Sequence, residues 1–339
     1  MNLNELSEKT ARKLRWHMVS RFRDTKLYPW LYRSYWHEKF HREKNASGSA
    51  IQYFAARPNP GAGIGHQLAN WIAGYWFAQQ FGLKYAHIPF SSRSWDEFLG
   101  FGDGEKTVSE LKKEGYHVVR VPMFDENDQA EVQRIREIIA SYAGKRVVFL
   151  AEQDQFYKAQ YGVMKEIQEK FYHAQARKKD KLIYKEGEFN LALHVRRGDI
   201  VSDRDRNPNL AIRYQGNEYF VNALKTALQY LNEKEKIHIY LFSQGTEADF
   251  PEFKEFQNLT FCLDMGAQES FLHMVYADAL ITSKSSFSYK PALLNRGLRF
   301  CPANFWHGYP DSDDWILLDE AGKMQTLFGK YSAKVLGRR

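Results

Sequence analysis

Short apolar runs alternate along most of the chain with longer stretches whose apolar residues recur at helical spacing. Ile51 to Ala55, Leu83 to Ile88, Val118 to Val121 and Arg146 to Leu150 read as strands. Leu68 to Phe81, Glu105 to Glu114 and Glu131 to Tyr142 read as the helices between them. Pro89 to Gly104 is turn-rich, with exposed-looking aromatics. Ala159 to Lys179 reads as a helix that ends in Arg177-Lys178-Lys179-Asp180-Lys181, a solvated charge run and a natural domain boundary. The alternation then resumes. Phe189 to Val195, His238 to Ser243 and Ala279 to Thr282 read as strands, Tyr219 to Asn232 and Glu269 to Tyr276 as helices, with a further helix from Lys290. Such alternation predicts an α/β protein of two doubly wound, Rossmann-like domains facing a cleft, residues 51–180 and 181–339, preceded by a basic aromatic arm over residues 1–50.

Composition narrows the class. At 339 residues with 44% hydrophobic and 26% charged positions, the chain can bury two ordinary cores. Its two cysteines, Cys262 and Cys301, are too few for a disulfide framework and fit a reducing compartment. No apolar run reaches spanning length, and the first residues lack the apolar core of a signal peptide, so a cytoplasmic protein is expected. A net charge of +7 suits anionic partners. The arm interleaves Arg12, Lys13, Arg15 and Arg21 with Trp16, Trp30, Tyr35 and Trp36. That texture suits a helical arm packed on the body or a helix laid on the inner face of a membrane. It contains no nucleic-acid-binding module, and no nucleic-acid partner is expected.

The chemistry concentrates at mid-chain. The buried-looking run Asn190 to Val195 breaks abruptly into Arg196-Arg197-Gly198-Asp199, delivering paired guanidiniums to the C-terminal end of a strand. Ligands bind at that edge of open α/β sheets, and a guanidinium fork matches a phosphate or diphosphate. Earlier, Gly61-Ala62-Gly63-Ile64-Gly65-His66-Gln67 joins a strand to a helix, an order that brings backbone N–H groups against an anion or a sugar. Later, Ser283-Lys284-Ser285-Ser286-Phe287-Ser288 places hydroxyls at another strand-to-helix junction. The polar loop from Asp199 to Tyr219 is long enough to cover a site.

Taken in order, Gly63 to Gln67, His194-Val195-Arg196-Arg197-Gly198-Asp199 and Ser285-Ser286-Phe287-Ser288 resemble the fucosyltransferase superfamily of α1,2-, α1,6- and protein O-fucosyltransferases. Its signature is His-x-Arg-Arg-x-Asp, and the resemblance spans roughly Ile51 to Asn295. It implies a GT-B-type fold, GDP-fucose as donor, inversion at the anomeric carbon and no metal or other cofactor. It implies that Arg196 or Arg197 holds the β-phosphate, that His194 lies near the nucleotide, and that Ser285, Ser286 and Phe287 with Gly63, Gly65 and Gln67 line the donor site. A carboxylate about 15 to 16 residues before the serine pair reads guanine in the family, which points to Glu269. The acceptor is expected to be an oligosaccharide or glycolipid hydroxyl. Its base is to be sought among Asp203, Asp199 and His66, with Asp203 ahead because Asp199 is placed to orient the arginines.

Two departures stand out. His66 occupies the position where the family carries Asn, and Ser270 sits where a guanine-reading carboxylate would align most directly. Transfer from another nucleotide sugar, and non-catalytic binding of a nucleotide sugar or a nucleic acid, are the competing readings.

Overall fold

The computed structural model describes residues 50–59, 61–151, 157, 159–198, 200–201, 211–231 and 236–325, with isolated positions between 7 and 26. In chain order its strands and helices are β1 (Tyr53–Ala56), α1 (Ile64–Gln80), β2 (Lys84–Tyr85), α2 (Arg93–Leu99), α3 (Val108–Lys113), β3 (His117–Arg120), α4 (Gln129–Ala140), β4 (Val147–Ala151), α5 (Met164–His173), β5 (Phe189–His194), α6 (Asn217–Leu231), β6 (Ile237–Ser243), β7 (Leu259–Leu263), α7 (Ala267–Tyr276), β8 (Ala279–Ile281), α8 (Ser286–Leu294), β9 (Leu298–Pro302) and β10 (Trp315–Leu318). They form two compact units, each built on a parallel sheet as the alternation predicts.

The first unit gathers the segment ending at Gly61 with Ala69–Ser91 and Gly104–Tyr157. Its sheet has the order β2-β1-β4-β3. Every residue of β1 and β4 is buried, which is why these strands read as unbroken apolar runs. Helix α1 lies so close to β1 that a Cβ on Gly74 would meet that of Ala56 at 2.5 Å. Phe54, Phe77, Phe81 and Phe124 pack beside that contact. The starts of α3 and α4 are written locally: Thr107 and Glu110 form a capping box, and Asp128 accepts from the N–H groups of Ala130 and Glu131.

The second unit takes Ala62–Leu68, Ser92–Asp103 and everything from Lys158, so the division by contacts does not fall at residue 180. Its sheet has the order β10-β9-β8-β5-β6-β7. Strands β5, β6 and β7 step outward one way, and β8, β9 and β10 the other. The order therefore reverses between β5 and β8, where Leu193 pairs with Ile281. In a sheet of this kind a crevice opens outside the strand ends at that reversal. Leu191, Leu193, Leu241, Ile281, Phe300, Phe220 and Leu224 lie in its core.

Several elements differ from the pattern-based expectation. The turn-rich stretch after Pro89 contains α2, stopped by Gly100 at φ 65° with an N–H bond back to Asp96. The expected helix over 159–179 is broken into the 3-10 turn Gln160–Val163, α5, and a second 3-10 turn at Gln175–Lys179. The charge run there is only partly solvated. The Arg177 side chain is 7% exposed, lies over the rings of Phe171 and Phe98 and donates to the Phe98 carbonyl, with Asp180 3.4 Å away. Strand β9 was hidden from the pattern by Arg299 at its second position. That side chain is nonetheless buried, spending its donors on the carbonyls of Ala292 and Asn295 and on Asp314.

Candidate functional site

Strand β5 ends at His194, and its continuation carries the two arginines into different surroundings. The Arg197 side chain is buried. It donates to the carbonyls of Arg196 at 2.8 Å and Gln215 at 3.0 Å and to Asn217 Oδ1 at 2.5 Å, with its guanidinium against Tyr214, Phe220 and Phe250. This guanidinium is a structural tie. Arg196 is half-buried and lines a cleft of about 370 Å³. Gly198 turns the chain with φ 71°, and a Cβ there would meet Gln244 Oε1 at 2.2 Å, so the Gln244 side chain, just past β6, lies against the turn.

The cleft lies over the C-terminal ends of β5, β6 and β7. Its walls are His194, Arg196 and Arg197 from β5 and beyond, Phe242, Ser243 and Gln244 from β6, and Asp264 and Met265 after β7. Ala267 and Ser270 of α7, Phe287 of α8, Ile64 of α1 and Trp95 of α2 complete them. A volume of this size falls in the range of small-molecule sites.

The serine segment closes the strand-order reversal. His194 Nδ1 lies 2.9 Å from Ser283 Oγ, joining the ends of β5 and β8. Ser285 caps α8 by accepting from the Phe287 N–H at 3.2 Å. Ser286 presses on the glycine loop: a Cβ on Gly65 would meet the Ser286 carbonyl carbon at 2.8 Å. The first turns of α1 and α8 thus touch, and each sends one side chain, Ile64 and Phe287, into the cleft wall. Two helix N-termini converge there, a concentration of positive dipole suited to an anion.

The remaining sequence candidates fall in varied places. Gly63 is open, with nothing within 4 Å of an added Cβ, whereas the Gln67 side chain turns inward to donate to the Ala62 carbonyl at 2.8 Å. His66 is exposed in the first turn of α1. Glu269 is exposed outside the cleft wall, while Ser270 lies on the wall with its hydroxyl 3.3 Å from the Met265 carbonyl. Asp199 and Asp203, and with them most of the polar loop, lie outside the described residues, as does nearly all of the N-terminal arm. Among the described residues no group of three or more His, Cys, Asp or Glu is placed to hold a metal ion, and no helix is long and apolar enough to cross a membrane.

Electrostatics set the protonation of two histidines. Burial, and then the charges of Arg196 and Arg197, push His194 down to about 3. Burial, and then Lys290 and His66, push His307 down to about 2. Both imidazoles are neutral at physiological pH.

No family model matches the chain, and no curated protein matches it. Among solved structures it is similar to the NodZ α-1,6-fucosyltransferase co-crystallised with GDP, at 12% identity over 73% of this chain and 93% of that one, TM-score 0.45. NodZ from Bradyrhizobium aligns at 12% identity over 73% and 94%, TM-score 0.43. POFUT1 in complex with GDP-fucose aligns at 10% identity over 73% and 96%, TM-score 0.42.

Three cleft residues escape the sequence motifs. Trp95 comes from a stretch that pattern alone assigns to turns, although its aromatic content was the available signal. Asp264 adopts φ 53°, which few residues other than glycine tolerate, and so sets its carboxylate at the turn after β7. Gln244 lies on the cleft wall beside Gly198, a pairing that no local spacing encodes.

Proposed function

We propose that this protein is an inverting, metal-independent fucosyltransferase that moves fucose from GDP-fucose to a glycan hydroxyl on a surface polysaccharide or lipid-linked oligosaccharide at the cytoplasmic face of a membrane. The observation that carries the reading is Arg196 at the end of β5, facing a cleft into which the first turns of α1 and α8 converge at the strand-order reversal. The diphosphate lies against Arg196 and those helix ends. As the bond from the sugar C1 to the β-phosphate oxygen breaks, the charge that builds on GDP meets a guanidinium and helix dipoles already in place. The acceptor oxygen attacks C1 from the opposite face, and its proton passes to a base. His66, next to the Gly65–Ser286 contact, is the described candidate.

Asp264 takes the role expected of Glu269. Guanine offers two adjacent donors, N1–H and the exocyclic amine, which one carboxylate accepts together, whereas uracil offers one donor between two carbonyls. Trp95 supplies an aromatic face for the base.

Thermal unfolding with GDP, UDP and dTDP, followed by donor hydrolysis with and without EDTA, tests the reading. GDP at 100 times its dissociation constant raises stability by about 2.7 kcal/mol. UDP and dTDP have little effect, and EDTA leaves the hydrolysis of GDP-fucose unchanged. Equal stabilisation by all three nucleotides, or turnover of GDP-mannose alone, overturns it.

A further inference from the structure

The cleft wall contains a small buried hydrogen-bond chain that the transfer reaction does not itself require. His194, Ser283 and Ser288 are 6%, 2% and 0% exposed. Ser288 Oγ receives the Ser283 N–H at 3.2 Å and has the carbonyls of Ser283 and Ser285 within 3.3 and 3.4 Å for its own proton. The Ser283 hydroxyl then has two acceptors within reach, Ser288 Oγ at 3.2 Å and His194 Nδ1 at 2.9 Å. The unprotonated imidazole nitrogen is both nearer and the stronger base, which favours donation of the hydroxyl proton to Nδ1 over Ser288 Oγ. A neutral imidazole that accepts at Nδ1 carries its proton on Nε2.

We propose that Ser283, steadied by Ser288, fixes His194 as the Nε2–H tautomer, so that the end of β5 presents one neutral N–H donor to an acceptor atom of the bound nucleotide. Ser283 is thus a positioning residue acting through His194. With the proton on Nδ1 instead, the ring would turn a lone pair toward the oxygens of an anionic ligand. An imidazolium is opposed by burial first, and then by Arg196 and Arg197 beside it. The Phe287 ring, 5.5 Å from the imidazole and tilted by 50°, limits its rotation, so the hydroxyl contact decides which nitrogen is left to the cleft.

The ligand half of this proposal rests on the nucleotide reading above, while the tautomer is a property of the free protein, so the two fail separately. Long-range 1H–15N spectra of the full chain labelled with 15N-histidine are recorded at pH 7 without ligand, with Ser283→Ala compared to wild type. In the wild type, Nδ1 of His194 resonates as an unprotonated nitrogen and Nε2 as a protonated one. In Ser283→Ala the two average toward each other. A protonated Nδ1 in the wild type, or an unchanged pattern in Ser283→Ala, overturns the proposal, and the wild-type spectrum decides even if the variant does not fold. GDP titration then compares His194→Gln, whose amide nitrogen reaches the Nε2 position, with His194→Asn, whose amide reaches only Nδ1. Gln holds affinity within about threefold and Asn loses about tenfold, the scale of one hydrogen bond. Asn binding as well as Gln overturns the donor role. Failure of the wild type to bind GDP overturns the nucleotide reading and leaves the tautomer result standing.

Discussion

The two adjacent arginines differ in surroundings although both line the cleft, and in the proposed function binding belongs to Arg196 and architecture to Arg197. Arg197 has its guanidinium committed to two carbonyls and Asn217, so Arg197→Ala leaves those acceptors without a charged donor. We expect a loss of about 3 kcal/mol in urea unfolding, the scale of hydrogen bonds to a buried charge. Arg196→Ala is expected to unfold like the wild type but to lose at least tenfold in GDP affinity by calorimetry, since its side chain lines the cleft. A reversed pattern, stability lost at Arg196 and affinity at Arg197, would exchange their roles. The base-reading carboxylate is separable in the same way. Asp264→Asn should narrow the preference for GDP over UDP about tenfold in competition binding, while Glu269→Gln leaves it unchanged, because only Asp264 lies on the cleft wall.

Between elements, the contact of α1 with α8 brings two helix starts to the cleft wall, where the proposed function places the diphosphate. A Cβ on Gly65 would meet backbone of Ser286 at 2.8 Å, so Gly65→Ala forces the two helix starts apart, whereas Gly63 has open space around it. Gly65→Ala should cost about 1–3 kcal/mol in thermal unfolding and weaken GDP binding, with Gly63→Ala near neutral in both. Equal effects at the two glycines would mean that the converging helix ends do not form the site. How far this was readable from sequence follows from the range of the interactions. The run Leu191-Ala192-Leu193 and the break at Arg196 are local, and they locate β5 and the strand end that lines the cleft directly. The glycine loop and the serine cluster were each visible, but the Gly65–Ser286 contact that unites them joins residues more than two hundred positions apart. Strand β9 was obscured because Arg299 buries its charge through the Asn295 and Ala292 carbonyls, and α2 because its helical span is short and flanked by turn residues. The burial of Arg177 within a run read as solvated was obscured for the same reason as that of Arg299: partners distant in sequence take a charged side chain out of water.

At the scale of the whole molecule, the buried histidines set the acid limit of stability. His194 and His307 lie near 3 and 2 because burial, reinforced by neighbouring cations, disfavours their charged forms. In the unfolded chain each takes up a proton near the usual imidazole value of about 6.5. Below that pH the unfolded state holds more protons than the folded one, so their contribution is fully present above about pH 6.5 and is lost as pH falls toward the folded values. By pH 5 each costs about 2 kcal/mol, and the two together about 4 kcal/mol. His238 and His273, also lowered chiefly by burial, act in the same direction. The lowered carboxylates, among them Asp249 and Glu320, begin to lose their stabilising partners only nearer pH 4, so the window from 6.5 to 5 belongs to the histidines. Urea unfolding at pH 7.5 and pH 5 measures the drop. His307→Asn, which keeps a polar group but cannot protonate in this range, should shrink the drop by about 2 kcal/mol. Equal urea midpoints at the two pH values would mean that both imidazoles gain their protons without unfolding. At pH 5 His194 would then meet the nucleotide as a cation beside Arg196, with a proton on each ring nitrogen in place of the single donor inferred for it at pH 7.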